Sequence, residues 1–356
     1  MEQNFDYVNL LNEIRGKTIG IIYFYENEDA PGSRHYWIWK SDIISGWLLA
    51  VQELECVPYI MDVRTFIQKA SNSTLPHIDF IINLNCGSYE LSSMGLVPAM
   101  CSFLAIPCIP CNTAAITMSE NKHISNIIAA ANKINVPEYL PLSNNNGIFR
   151  PLNLGSSIGV KIGKSDKCLG VYQEFIPGYD ITIPVVYNPY IRSLDLLPPL
   201  LYFPNSQNPN WIYDYEEKYC EDENFIKYPL LKVESQAKEI LLRFAQTFPI
   251  TTFGRIDGRI KCTDIILSKD VLQKPLALDD FYFVEINSMP TIEKNDSFDM
   301  AFKAAQDYTE YSIHPAVEQY CKTVKHASMI GYVLSSSIIS LTIAKSQSQM
   351  DLNHNL

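Results

Sequence analysis

The chain has 356 residues, of which 47% are hydrophobic and 19% are charged, enough apolar side chains to bury a sizeable core in two or three domains. Its formal net charge of −11 argues against nucleic-acid binding, because nucleic-acid sites are basic. The nine cysteines lie mostly in apolar stretches, and the C-x-x-C formed by Cys108 and Cys111 has no second pair or suitably spaced histidine. These features predict a reduced, cytoplasmic protein without cysteine-based metal chemistry.

Neither end of the chain predicts a membrane segment. Residues 1–6 are polar and acidic, unlike a signal peptide. Residues 329–344 are apolar but short for a membrane span, and Ser335, Ser336 and Ser337 interrupt them. We therefore expect a packed C-terminal helix and no membrane partner.

The first section of the chain alternates between strands and helices, which predicts a parallel α/β sheet. No G-x-G-x-x-G follows its first strand and no G-x-x-x-x-G-K-[ST] occurs anywhere, so the dinucleotide fingerprint and the P-loop are both missing. The predicted elements are strands at 18–24, 57–63 and 78–84 and helices at 41–54, 94–104 and 119–132.

The second section begins near Pro137 and contains a glycine- and serine-rich turn before a strand at 160–162. Gly155 and Gly159 flank two serine hydroxyls, so the turn predicts a mobile hairpin that closes over phosphate oxygens; an ordinary β-turn is the alternative. Residues 170–182 predict two strands with a break at 177–178, where exposed backbone groups could pair with an adenine edge.

The third section predicts a polar loop at 213–219, a helix at 234–247, two short strands and a long helix at 299–320. Arg255 and Asp257 lie two apart on the first strand, and Glu285 and Asn287 lie two apart on the second, so each pair shares a face. Clustered hard oxygen ligands suit Mg²⁺ that bridges substrate phosphates, although solvated acidic residues are the simpler alternative.

Several motifs in the same order give the chain a resemblance to the ATP-grasp superfamily, and within it to the D-alanine–D-alanine ligase group, over residues 17–320. The group's G-S-S-x-G loop matches residues 155–159, and its Y-D-Y-x-x-K-Y loop matches residues 213–219. Its R-x-D signature matches Arg255 and Asp257, and its E-x-N-x-x-P signature matches Glu285, Asn287 and Pro290.

The resemblance implies an α/β ATP-grasp fold in which an N-terminal parallel α/β domain precedes two α+β subdomains that sandwich ATP. The implied units are the N-terminal domain at 1–117, the central subdomain at 118–185, the C-terminal subdomain with the metal site at 186–325, and an apolar helix with a polar tail at 326–356. It also implies a homodimer whose partners are small amino acid and acid substrates.

The resemblance further assigns roles to individual residues. The implied cofactors of the protein are ATP and two Mg²⁺ ions, for which Mn²⁺ can substitute. The implied metal ligands are Asp257, Glu285 and Asn287. The implied catalytic residues are Ser156, Lys218, Tyr219 and Arg255. The implied ATP-binding residues are Lys122, Arg150, Gly155, Ser156, Ser157, Gly159, Glu174, Ile176, Asp180 and Lys218. The implied substrate-binding residues are Glu28, Glu90, Tyr219, Arg255, Thr291 and Ser297, with Arg255 on either the oxyanion or the second substrate's carboxylate.

The departures from the family pattern fall mainly on the substrate side. Residues 26–37 are bulkier and more aromatic than the family's Gly-Gly turn, and Thr291 replaces a glycine near the second substrate. On the ATP side, Arg150 replaces a lysine and Gln173 replaces an acidic residue. The substrate-side changes favour an ADP-forming amino-acid ligase of specialised metabolism, such as one that joins an amino acid to mycosporine-glycine. A D-alanine–D-alanine ligase, a dipeptide ligase and a nucleotide-binding protein without ligase activity are the alternatives.

Overall fold

The structure, a computed structural model, describes residues 7–24, 41–86, 93–141, 146–163, 169–219, 224–230, 232–262, 274–307 and 314–354. Its first third contains a four-stranded parallel sheet in the order β2-β1-β3-β4, which confirms the predicted α/β class. The elements are α1 (Tyr7–Ile14), β1 (Thr18–Tyr23), α2 (Ser41–Glu53), β2 (Val57–Asp62), α3 (Val63–Ser71), β3 (Phe80–Leu84), α4 (Leu96–Phe103), β4 (Cys108–Ile109), α5 (Thr113–Glu120) and α6 (Lys122–Ala131).

Two antiparallel sheets follow the parallel one. The smaller sheet has the order β6-β5-β7 and is formed by β5 (Gly147–Pro151), β6 (Lys161–Ile162) and β7 (Gly170–Glu174). The larger sheet has the order β11-β10-β8-β12-β13, and β9 also pairs with β8. Its strands and the remaining helices are β8 (Gly178–Asn188), β9 (Ser193–Leu196), β10 (Leu200–Pro204), α7 (Tyr215–Tyr219), β11 (Phe225–Pro229), α8 (Ser235–Thr247), β12 (Phe253–Lys261), β13 (Phe281–Asn287), α9 (Ser297–Asp307), α10 (His314–Thr323) and α11 (Met329–His354).

The prediction of a single helix at 119–132 is wrong, because α5 ends at Glu120 and α6 begins at Lys122, with Asn121 between them. The Asn121 backbone is extended, and its side-chain oxygen accepts hydrogen bonds from the N–H groups of His123 and Ile124. Asparagine is a preferred N-cap, so Asn121 ends α5 and starts α6. Lys122 thereby becomes the first residue of α6, and its N–H donates to Leu152 O at 3.0 Å.

The polar loop predicted at 213–219 contains a short helix, α7. Asp214 precedes it and caps it, because its carboxylate accepts a hydrogen bond from Glu217 N at 3.0 Å. The long helix predicted at 299–320 spans residues 308–313, which lie outside the described residues, and α9 and α10 lie on either side of them.

The C-terminal helix α11 packs inside the protein. Met329, Tyr332, Val333, Leu334 and Ile338 are at most 5% exposed and belong to the same hydrophobic core as α2 and the larger sheet. Among the helices that the structure describes, α11 is the one long and apolar enough to cross a membrane, but 61% of its apolar window is buried in the protein. Its apolar residues are therefore used within the chain and are not available as contact surface for a second copy.

We expect Ile338→Ala to lower the free energy of unfolding by about 2–5 kcal/mol, the cost of a cavity in a packed core. The exposed Lys345 on the same helix offers a matched control, and Lys345→Ala should change stability by less than about 0.5 kcal/mol. Denaturant unfolding followed by circular dichroism measures both. Equal stabilities for the two variants would contradict the assignment of α11 to the core, as would a soluble, cooperatively folding chain that lacks residues 327–356.

Candidate active site

A cavity of about 640 Å³ lies between the smaller and the larger antiparallel sheet. Most of the residues predicted from the sequence to bind ATP, metal or substrate line it. They are Lys122, Arg150, Gly155, Ser156, Ser157, Glu174, Ile176, Asp180, Lys218, Arg255, Asp257, Glu285, Asn287, Thr291 and Ser297.

Four predicted site residues are not among those that line the cavity. Gly159 lies in the same turn as Ser156 and Ser157, but outside the cavity wall. Tyr219 ends α7, and its side chain is outside the description. Glu28 and Glu90, like the segment 26–37, lie outside the described residues. Their predicted roles stay predictions.

Asp257 lies at the centre of a hydrogen-bonded group on neighbouring strands. In the ladder between β12 and β13, Asp257 is paired with Glu285 and Arg255 with Asn287. The Asp257 carboxylate accepts hydrogen bonds from Thr182 Oγ1 at 2.7 Å and from Asn287 Nδ2 at 2.7 Å. Arg255 also donates to it through Nε and Nη2, at 2.9 and 2.8 Å. The strand spacing thus brings all four predicted residues together.

These side chains fit a Mg²⁺ ion. Within the described ranges no cluster of three His, Cys, Asp or Glu side chains exists, so a metal set must include the amide of Asn287. Asn287 uses Nδ2 for Asp257, which leaves its Oδ1 for a cation. Two carboxylates and an amide oxygen are the hard ligands that Mg²⁺ prefers. Asp257, Glu285 and Asn287 are therefore the residues that would hold the ion.

Four cationic side chains surround Glu285. Burial works to raise the pKa of this carboxyl, but Lys122, Lys218, Arg255 and Arg150 outweigh it and lower the pKa to about 2. Lys122 Nζ lies 3.6 Å from Glu285 Oε2 and donates to Leu154 O at 2.7 Å. Burial also lowers the pKa of Lys122 and of Arg150, and Glu285 opposes both shifts. Four cations thus act on the Glu285 carboxylate, and one of them, Arg255, is also paired with Asp257.

Lys218 has no carboxylate within ion-pair distance among the residues that the structure describes. Its ammonium lies 5.1 Å from the centre of the Tyr213 ring, a cation–π arrangement, and burial lowers its pKa. A buried, uncompensated positive charge is costly unless a ligand supplies the counter-charge. The excess of positive charge around Glu285 therefore indicates a polyanionic ligand.

Arg150, one of these four cations, forms a buried pair with Gln173. Arg150 Nη2 donates to Gln173 Oε1, and Arg150 Nη1 donates to Val284 O, both at 2.6 Å. Gln173 Nε2 in turn donates to Pro137 O at 2.7 Å. Because Gln173 is neutral, it orients the guanidinium without cancelling its charge, so the two departures from the family pattern occur together.

The backbone of the turn at 155–159 agrees only in part with what its residues predict. Gly159 has a φ of +73°, as expected, but Ser156 and Ser157 also adopt left-handed φ values of 52° and 59°. Ser157 Oγ donates to Tyr213 O at 2.9 Å, which joins the turn to the segment that carries Lys218. Gly155, Ser156 and Ser157 are half-buried and line the cavity.

The segment between β7 and β8 forms the remaining wall. Gly178 has a φ of +144°, and a Cβ there would lie 1.9 Å from Ile260 O, so glycine is required. The Ile176 N–H has no partner among the described residues, whereas Ile176 O accepts a hydrogen bond from Arg259. Burial raises the pKa of Asp180, and Arg259 opposes that shift.

Two cavity residues, Arg259 and Tyr202, were not predicted from the sequence. Arg259 lies four residues after Arg255 on β12, and this alternation was the available signal. Tyr202 comes from β10, and its ring packs 5.2 Å from that of Tyr213. No motif marks Tyr202, because only the larger sheet brings it to the site.

Residues after β13, among them Thr291 and Ser297, also line the cavity. Thr291 is half-buried, and Ser297 is 3% exposed at the start of α9. Between them, Asp296 accepts hydrogen bonds from the N–H groups of Glu293 and Asp299 at 3.1 and 3.0 Å, so it caps α9. Burial raises the pKa of Asp296 to about 6.

Comparison with known proteins gives matches to solved structures only. No protein-family model and no curated protein matches the chain. The D-alanine–D-alanine ligase from Bacillus anthracis superposes with a TM-score of 0.58 at 16% identity, covering 93% of this chain and 100% of its own. A structure of that ligase complexed with ATP superposes with a TM-score of 0.56 at 16% identity, with the same coverage of 93% and 100%.

Two further ligases have the same architecture. The VanG D-Ala:D-Ser ligase from Enterococcus faecalis gives a TM-score of 0.53 at 13% identity, covering 92% of this chain and 100% of its own. The D-alanine–D-alanine ligase from Coxiella burnetii gives 0.59 at 10% identity, covering 95% and 99%. At these identities the similarity establishes the fold, which is the mixed α/β fold of ATP-grasp D-alanine–D-alanine ligases.

We expect Glu285→Gln to destabilise the ligand-free protein at neutral pH, because Lys122, Lys218 and Arg150 lose their attraction to this carboxylate while only Arg255 keeps Asp257. The folded pKa of about 2 lies below the ordinary 4.5, so the stabilisation is complete above pH 4.5 and is lost as the pH falls toward 2. The stability difference from wild type should be about 1–3 kcal/mol at pH 7 and should shrink below pH 4.5.

Urea unfolding between pH 7 and the lowest pH at which the protein folds measures this difference. Glu239→Gln on the exposed face of α8 is the matched control and should show no such pH dependence. A difference for Glu285→Gln that stays constant with pH would contradict the charge cluster.

Ser157→Pro should disrupt the turn at 155–159, because proline fixes φ near −65° and Ser157 has a φ of 59°. In wild type, ATP with Mg²⁺ should protect the turn from limited proteolysis, and the proline variant should lose this protection while its thermal unfolding stays cooperative. Ser157→Gly is the control that tolerates positive φ and should keep most of the protection. Cleavage of the wild-type turn that nucleotide does not slow would show that it is no phosphate lid.

Proposed function

We propose that the chain is an ATP-dependent, ADP-forming ligase that joins an amino acid to a second small acid or amino-acid-like substrate. One observation carries the proposal: four cationic side chains converge on Glu285 beside Asp257, in a cavity between two sheets. This arrangement suits a metal-bound polyphosphate, because within the cluster four cations face the two carboxylates of Glu285 and Asp257. The fold of the chain is one that binds ATP in a solved ligase structure.

Each residue of the cluster has a role that follows from its position. Lys122 and Arg150 neutralise the phosphates nearest the smaller sheet, and Lys218 neutralises the phosphoryl group that is transferred. Mg²⁺ on Asp257, Glu285 and Asn287 would supply further neutralisation of the β- and γ-phosphates. Ser156 and Ser157 cover the phosphates from above. Catalysis on this plan is positioning and charge neutralisation, without covalent participation of a side chain.

The reaction that these groups support has two steps. An oxygen of the first substrate, a carboxylate in the simplest case, attacks the γ-phosphorus, the bond to the bridging oxygen breaks, and ADP leaves. The amine of the second substrate then attacks the activated carbon, inorganic phosphate leaves, and the amine loses a proton to give an amide. Arg255 is held by Asp257 through Nε and Nη2, and its Nη1 has no partner in the described part of the chain. That group is suited to an oxyanion or to the second substrate's carboxylate.

The substrates are proposed from two sources. D-Alanine with D-alanine or D-serine is the first choice, because the ligases that share the fold are named for these substrates. An amino acid joined to mycosporine-glycine, where a ring oxygen takes the phosphate, stays a prediction that depends on residues 26–37 and on Thr291. A dipeptide ligase differs from both in its second substrate. We further propose a cytoplasmic homodimer in which Mn²⁺ can replace Mg²⁺.

Release of ADP across a panel of substrates tests the proposal. Purified protein with ATP and Mg²⁺ is given D-alanine or mycosporine-glycine as first substrate and single amino acids as second, with mass detection of the product. We expect at least one pair to give stoichiometric ADP and a condensed product. Asp257→Asn should lower turnover at least about 100-fold, the effect of removing one preorganised electrostatic group. ATP binding without turnover on any pair would favour a nucleotide-binding protein, and wild-type rates in a folded Asp257→Asn variant would contradict the site.

We expect Thr291→Gly to change the choice of second substrate. The side chain removes space at the end of the cavity and adds a hydroxyl that can pair with a polar acceptor, and such a site discriminates against analogues that lack the polar group. The variant should therefore accept alanine or glycine better relative to serine or threonine, while its KM for ATP stays near wild type. The ratios of kcat/KM between acceptors measure the effect. Unchanged ratios would remove Thr291 from the acceptor site.

A further inference from the structure

Arg259 has more hydrogen-bond partners than any role in strand β12 requires. The residue is 8% exposed, and its guanidinium donates through Nε to Ile176 O at 2.8 Å and through Nη2 to Gly178 O at 2.7 Å. Nη2 also donates to Trp211 O at 3.1 Å, and Nη1 donates to Asp180 Oδ1 at 2.8 Å. The guanidinium carbon lies 5.1 Å from the centre of the Phe175 ring. One side chain thus fixes residues 175–180.

These partners form one wall of the cavity. Ile176 and Asp180 line the cavity, and Asp180 Oδ1 is used by Arg259, so Oδ2 remains for a ligand. The Ile176 carbonyl is held by Arg259, whereas the Ile176 N–H stays without a partner in the described ranges. Arg259 therefore leaves one backbone donor and one carboxylate oxygen directed at the ligand.

We propose that Arg259 is a positioning residue for the base and ribose of the bound nucleotide, because it holds the Ile176 carbonyl and the Asp180 carboxylate in place. The inference rests on the proposed function, because it assumes that the polyanion is a nucleotide. A purely structural ion pair would need only Asp180, whereas Arg259 also donates to the carbonyl oxygens of Ile176, Gly178, Pro209 and Trp211. Lysine cannot reproduce this, because its point charge lacks the planar fork of donors.

The phosphate end does not depend on Arg259. Lys122 is held by Leu154 O and Glu285, and Arg150 by Gln173 and Val284 O. Arg259 also donates to Trp211 O in the segment that leads to Lys218, but this segment has an anchor of its own, because Ser157 Oγ donates to Tyr213 O at 2.9 Å. Loss of the guanidinium should therefore weaken recognition of the nucleoside part and leave recognition of the phosphate chain intact.

Calorimetric titration with two probes separates these effects. ATP carries base, ribose and phosphates, whereas inorganic tripolyphosphate carries the phosphates alone. Arg259→Met keeps the length of the side chain and removes every donor. We expect its Kd for ATP to rise about 10- to 100-fold, the scale of lost charge-assisted hydrogen bonds, and its Kd for tripolyphosphate to stay within about twofold of wild type. In turnover, the KM for ATP should rise while kcat at saturating ATP changes little.

Two further variants complete the design. Arg243→Met on the exposed face of α8 is the matched control and should bind both probes as wild type does. Arg259→Lys retains the charge opposite Asp180 and should show a smaller rise, about tenfold, for ATP alone. If thermal unfolding shows that Arg259→Met is not folded, the Kd values of Arg259→Lys test the proposal instead.

The inference is overturned by a folded Arg259 variant with wild-type affinity for ATP, or by equal losses for ATP and tripolyphosphate. The wild-type measurements distinguish this failure from failure of the proposed function. If the wild-type chain binds ATP but catalyses no ligation, only the proposed ligase activity is overturned. The role of Arg259 is then still tested by the Kd values for ATP and tripolyphosphate. A wild-type chain that binds no ATP overturns both.

Discussion

The arrangement of the site depends on the imbalance of charge around Glu285. Four cations approach one carboxylate that is itself shared with the predicted metal site, and Asp257 is already engaged by Arg255, Thr182 and Asn287. Buried positive charge of this kind is tolerated because the fold holds it with carbonyl oxygens and one carboxylate. The ligand-free protein therefore keeps a site that is complementary to a polyanion before one binds.

The two antiparallel sheets explain how this imbalance is maintained. Lys122 and Arg150 come from α6 and the smaller sheet, whereas Glu285 and Arg255 come from the larger one. Neither sheet alone contains the cluster, so the approach of the sheets creates it. The hydrophobic core that joins α11 to α2 and to the larger sheet fixes the parallel-sheet part of the chain against the rest. Packing far from the site thus contributes to its electrostatics.

The base end of the cavity and the phosphate end are supported by different contacts. Arg259 holds the wall around Ile176 and Asp180, and the aromatic group of Trp211, Tyr213 and Tyr202 packs beneath Lys218. Trp211 is the point where the two supports meet, because its carbonyl accepts from Arg259 and its ring stacks on Tyr213. The wall around Ile176 and Asp180 is therefore joined to the residues next to Lys218 through Trp211.

The sequence by itself determined the alternation of strands and helices in the first section, the period-two placement of Arg255 with Asp257 and Glu285 with Asn287, and the positions of the glycine turns. These are local properties, because side-chain direction in a strand and the freedom of glycine depend only on neighbouring residues. The break at Asn121 was also local, since an N-cap signal was present and the apolar spacing concealed it.

Only the tertiary structure decided which of these residues meet. The pairing of Asp257 with Glu285, the approach of Lys122 to them, and the roles of Arg259 and Tyr202 arise from strands and helices far apart in the chain. The sequence predicted a packed C-terminal helix at 329–344, and the tertiary structure decided that its partners are α2 and the larger sheet. Long-range packing selects among partners that local pattern leaves equivalent, and it sets the burial that shifts each pKa.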